Sequence, residues 1–137
     1  MLIRSGDSSI WIEMSDRPNN SQRPGDVRLL VDVVSVGFSG RAAVWVAADA
    51  LNEFVRHLRT LEQERRGAAT LASMSPGELD LELKSINARG GMAIIAAVVH
   101  HEHLGDGGPY AHGVKVGFEF DPTMLPEILA SFEEMSS

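Results

Sequence analysis

Cysteine is missing altogether from the 137 residues, which excludes disulfides and any Cys-ligated zinc or iron–sulfur site. Long apolar runs are missing as well. None approaches the ~18 residues of a membrane span, so no membrane partner is expected. The opening stretch MLIRSGDSSIW has neither a long apolar core nor a small-residue cleavage site, and no secretory signal is expected there. Basic residues are scarce in one half only. Residues 1–66 carry nine Lys/Arg and nine Asp/Glu, whereas residues 67–137 carry three and ten, so the whole net charge of −7 belongs to the second half. That balance disfavours a nucleic-acid binder, which needs a basic footprint. It leaves room for a basic partner, or for plain solubility.

What is present is ordinary for a globular chain: 44% apolar and 23% charged residues, in a length that predicts one domain over 1–137 able to bury about two-thirds of its unfolded surface. Ile10, Ile12 and Met14 alternate with Trp11 and Glu13, the period of a strand. Ser15 to Asp26 (SDRPNNSQRPGD) has no apolar side chain, two prolines and a Pro-Gly pair, and reads as a polar loop. Val27–Val36 is β-branched and mostly apolar, as in a strand covered on both faces. Phe38-Ser39-Gly40 closes it, with Gly37 and Gly40 available for the turn, and Arg41–Ala47 returns as a hairpin.

A helix follows, with Asp49 as the expected N-cap and one apolar stripe of Leu51, Phe54, Val55, Leu58 and Leu61. Gly67 is the expected residue after its end. Strands are expected over Ala68–Met74, Glu78–Ile86 and Met92–His101. In the second of these, Leu79, Leu81 and Leu83 point inward and Glu78, Asp80, Glu82 and Lys84 outward. A Gly-rich connection, Leu104–His112, leads to a strand marked by Val114, Val116, Phe118 and Phe120. Asp121-Pro122 then starts a second helix, with Leu125, Ile128, Leu129 and Phe132 facing in. A shift of 74 residues superimposes Val44-x-Val46 on Phe118-x-Phe120 and the first helical stripe on the second. Both halves thus read strand, strand, helix, either as an internal ββα repeat or through a shared amphipathic period. The fold class is α+β: antiparallel hairpins with two amphipathic helices packed on the sheet.

Chemistry is sparse. There is no cysteine nucleophile and no Gly-x-Ser-x-Gly elbow. Gly105-Asp106-Gly107-Gly108 lacks a Walker lysine and precedes a strand, so it reads as a connector. His100-His101-Glu102-His103 ends one strand and His112 opens the next. Three imidazoles and a carboxylate would suit zinc or nickel, but His100 and His101 must diverge across the strand. A metal site would therefore fall to His101, His103 and His112, and the expectation is that none forms. Glu78, Asp80 and Glu82 lie roughly 7 Å apart along one strand face. They read as a solvated face that discourages edge pairing, or as a docking surface for a basic protein. Trp45, Phe54, Phe118, Phe120 and Phe132 sit at core-like periods. Trp11 and Tyr110 are open to a role as exposed anchors.

One ordered string of motifs resembles a known family. Phe38-Ser39-Gly40 and its alternating strand are followed by Leu51-x-x-Phe54-x-x-x-Leu58-x-x-Leu61 and Gly67-x-Ala69-x-Leu71. Leu79-x-Leu81-x-Leu83, Gly91 and Phe118-x-Phe120-Asp121-x-Thr123-x-Leu125-Pro126 complete it. Over roughly residues 27–135 the chain is similar to WapI-type immunity proteins of bacterial polymorphic and contact-dependent toxin systems. It departs from them at Gly25-Asp26-Val27-Arg28-Leu29, where an acidic-Asn-Trp-Leu opening is frequent, and at Pro122, where Gln is frequent. The resemblance implies a non-catalytic cytoplasmic antitoxin without cofactor. Its partner would be the toxic domain of a neighbouring effector, often a nuclease, with Glu78, Asp80 and Glu82 as the candidate docking residues. A small metal- or ligand-binding enzyme and a homo-oligomer subunit are the rival expectations.

Overall fold

Alternation of large aliphatic residues with polar ones dictates most of the chain. In the computed structural model, which describes residues 1–17, 25–103 and 105–136, it produces eight strands. Strands β1 (Leu2–Ser5), β2 (Ser8–Asp16), β3 (Val27–Ser35) and β4 (Phe38–Val46) form one antiparallel sheet in sequential order. Helix α1 (Ala48–Glu64) follows. Strands β5 (Ala68–Ala72), β6 (Leu79–Ser85), β7 (Met92–Glu102) and β8 (Tyr110–Phe120) form a second antiparallel sheet, again in sequential order. A single 3-10 turn (Pro122–Met124) then leads into α2 (Leu125–Ser136). The α+β architecture is therefore two four-stranded meanders, each closed by a helix, and the 74-residue echo aligns β4–α1 with β8–α2.

The sheets pack crosswise. The Trp45 carbonyl accepts the Met74 N–H at 2.8 Å just past β5, while Gly40, at the other end of β4, lies against Val98 of β7 and Val114 of β8. Strand β8 in turn passes beside β4, β3 and β1. Any Cβ at Gly40 would stand 2.5 Å from the Val114 Cγ1, so this strand glycine exists for close approach of the two sheets. It is not the turn residue the sequence suggests. The turn is Val36-Gly37, with φ of 46 and 86, the two positive values that a two-residue hairpin of this type needs.

One buried cluster draws on all eight strands and both helices. Leu51, Phe54, Val55, Leu58 and Leu61 of α1 are all buried, as the stripe predicts. Phe54 meets Phe132 of α2 edge-on, with ring centroids 4.8 Å apart and planes at 77°. Leu125, Ile128 and Phe132 are buried too, but Leu129 is only half-buried and Met135 completes the stripe in its stead.

Four further expectations change. Strand β1 is added by a two-residue turn at Gly6-Asp7, with Gly6 at φ 58. Strand β3 is covered on one face: Val27, Leu29, Val31 and Val33 are buried, whereas Leu30 is half-buried and Val34 exposed. Asp49 sits inside the first turn of α1, and the carboxylate that caps the helix is Asp26, which accepts the Ala48 N–H at 2.9 Å from across the fold. At the far end Arg65, not Gly67, ends the helix in the left-handed conformation, its N–H donating to the Leu61 carbonyl.

Candidate functional site

Sheet register decides which polar side chains share a surface. On the solvent face of the second sheet, Ala72, Asp80, Ala97 and Lys115 form one cross-strand row, and Thr70, Glu82, Ile95 and Gly117 the next. Because alanine and glycine supply much of these rows, the face is dished. Asp80 and Glu82 border an open depression of about 400 Å³ with Ala72, Ile95, Ala97 and Lys115. Glu78 falls just before β6, its carbonyl accepting the Val99 N–H at 3.0 Å. Lys84 tempers the acidity, with Nζ 3.9 Å from Glu82 Oε1. Two carboxylates thus share a shallow, largely apolar surface with Lys84 and Lys115. Exposed pairs of this kind contribute mainly to encounter and register.

The histidines assemble differently from the sequence expectation. Strand β8 begins at Tyr110, so His112 is a strand residue paired with His100, while His101 pairs with Ala111. Adjacent positions point to opposite faces. His112 therefore lies on the face away from His101, and the set His101, His103 and His112 does not converge. The register instead brings together His100, Glu102 and His112. The Glu102 carboxylate lies between the two imidazoles, 3.7 Å from His100 Nε2 and 3.5 Å from His112 Nε2. Among the described residues no group of three or more His, Cys, Asp or Glu is arranged to hold a metal ion.

His100 and His112 line a corner pocket of about 220 Å³ together with Ser39, Gly40, Arg41, Val98, Gly113 and Val114. Arg41 is fixed by Asp32, which accepts from its Nε at 2.6 Å. That hydrogen bond, with the charge behind it, raises the guanidinium pKa above its ordinary value. Beyond the corner projects the β3–β4 hairpin tip. Val36 is 72% and Phe38 66% exposed, the highest values among large apolar residues in the described chain. A β-branched residue at positive φ is a steric outlier, and the left-handed conformation costs roughly 1–2 kcal/mol for an L-residue with a Cβ.

The aromatic expectations divide. Phe54, Phe120 and Phe132 are buried and Phe118 half-buried, but Trp45 faces solvent. Its odd-numbered position places it on the outer side of β4, opposite Arg28, on the sheet face that also carries Trp11. Tyr110 is exposed as well. Of the polar loop, Ser15 and Asp16 belong to β2, and residues 18–24 lie outside the described residues. No described helix is long and apolar enough to cross a membrane.

Against protein-family models, the whole chain, residues 1–137, matches the immunity protein WapI-like family. No curated protein and no solved structure matches.

Proposed function

The chain belongs to the WapI-like immunity protein family, and from that premise we propose that it is a cytoplasmic antitoxin. It binds and neutralises the toxic domain of an effector in a polymorphic, contact-dependent toxin system, and the target is a nuclease. The role is that of a binding protein, without catalysis or cofactor. The family match over the full chain carries the reading. The charge map adds the partner's chemistry, since the excess of ten carboxylates over three cations lies after residue 66.

A nuclease must present cationic groups to phosphates. A carboxylate-rich protein surface competes for those groups, and long-range attraction speeds its arrival. On this reading Glu78, Asp80 and Glu82 form the docking face. The shallow depression beside Asp80 and Glu82 receives basic side chains, and nucleic acid is displaced from the covered surface.

The experiment is co-expression. The toxic domain encoded beside this chain's gene should arrest growth alone, and growth should resume when this chain is supplied. The purified pair should elute as one complex, with the domain's nuclease activity suppressed. Growth arrest unaffected by the chain, with no complex at micromolar concentrations, would contradict the immunity reading. A protective complex with a toxin of another chemistry would remove only the nuclease.

A further inference from the structure

We propose that the tip of the β3–β4 hairpin, Val36 and Phe38, is the apolar anchor that seats this chain in its toxin partner, an inference that rests on the immunity reading above. Two independent observations meet at this turn. The first is conformational. Val36 occupies, at φ 46, the first central position of a two-residue turn whose geometry favours Asn, Asp or Gly. The second is exposure: no other large apolar side chains in the described chain stand as far into solvent as these two. The fold gains from neither. An Asn-Gly turn would close the same hairpin with less strain, since Asn is not β-branched and its side chain bonds the local backbone, and with a wetted tip. Where local preference and structure conflict in this way, the conflict points to function.

The surroundings define the partner's chemistry. Gly40 lets β4 close on Val98 and Val114, which sets Arg41, His100 and His112 around the corner pocket at the base of the tip. Glu102 adds a carboxylate between the imidazoles. A convex apolar tip with polar groups behind it does not enclose a small molecule, whose sites are concave. It complements a concave apolar cleft on a folded protein, rimmed by donors that can meet Glu102. Interfaces concentrate their energy in such central anchors, sheltered from water by polar contacts around them. The two surfaces then divide the work: carboxylates of the second sheet act on the rate of encounter, and the tip on the lifetime of the complex.

The test compares stability and binding in the same variants. Binding kinetics are measured with the purified toxic domain encoded beside the gene, against wild type, Val36→Asn, Phe38→Thr and Ile86→Thr. The last removes an exposed apolar side chain from a different turn. Val36→Asn should melt higher than wild type yet dissociate about tenfold faster. Phe38→Thr should melt as wild type and also dissociate about tenfold faster. Ile86→Thr should change neither. A purely structural role for Val36 cannot produce a variant that is more stable and binds less well. Should Val36→Asn fail to fold, Phe38→Thr decides alone. Tip variants that dissociate within about twofold of wild type overturn the anchor and leave the immunity reading standing. A wild-type chain that does not bind overturns both.

Discussion

Phe54 and Phe132 hold the two helices to each other, and both are fully buried. Truncating either to alanine should cost about 3–5 kcal/mol by loss of burial and creation of a cavity. Because the rings touch, the double variant should cost less than the sum of the singles, with a coupling of about 0.5–1.5 kcal/mol; denaturant unfolding of the three variants measures it. At the other helix start, the Asp121 carboxylate accepts the Thr123 N–H at 3.0 Å. That backbone hydrogen bond holds its pKa below the ordinary 3.8. A depressed folded pKa stabilises the protein above the unfolded value, and this contribution is lost as pH falls through the folded one. Asn caps a helix about as well as Asp but does not titrate. Asp121→Asn should therefore lose less stability than wild type as pH is taken below about 4, as read by thermal melts across that range. At this scale the sequence was most legible for Phe54, Phe132 and Asp121, because helical spacing and capping are local rules. Asp26, which caps α1 from across the fold, was illegible for the opposite reason.

Among the elements, the β6 leucines and the α1 stripe follow their periods faithfully, since one side of each meets a core. Strand β3 misleads because Leu30 and Val34 make an apolar run of what is a one-faced strand. Strand β1 escapes notice because four residues carry too little pattern, although Gly6-Asp7 is the turn signal that could have revealed it. Gly40 is read as a turn when it is a contact, because a glycine's reason lies in what passes over it. Gly40→Ala should force β4 away from Val114 and cost about 1–3 kcal/mol, with retained secondary structure by circular dichroism and a lowered melting temperature. A neutral outcome would mean that the sheets do not approach as closely as the fold requires.

Across the whole molecule, the repeated order of four strands and a helix, crossed over one core, presents three kinds of surface: a dished carboxylate face, an outer face bearing two tryptophans, and a corner with a strained apolar tip. The charge asymmetry was legible from composition, and so was the outward side of β6 that carries Asp80 and Glu82, whereas Glu78 falls just before the strand and is half-buried. The dish beside Asp80 and Glu82 was not legible, because it arises from small residues brought level by register across four strands. The histidine grouping was also hidden. A single residue of register decides whether His112 faces His100 or His101.

On the proposed function, carboxylates of the second sheet steer a basic toxin domain. Stopped-flow association of that purified domain at several salt concentrations tests it most directly, with wild type compared with Glu78→Lys/Asp80→Lys/Glu82→Lys. The control reverses two carboxylates on α1, Glu62 and Glu64, and effects are compared per charge reversed. Asp80 and Glu64 are exposed and Glu78, Glu82 and Glu62 half-buried; surface substitutions of this kind shift stability by about 0.5 kcal/mol or less each, and circular dichroism checks that all three proteins fold. A slower on-rate with a flatter salt dependence is expected for the strand variant, and near-wild-type association for the control. Equal on-rates and equal salt slopes for wild type and the strand variant would contradict it.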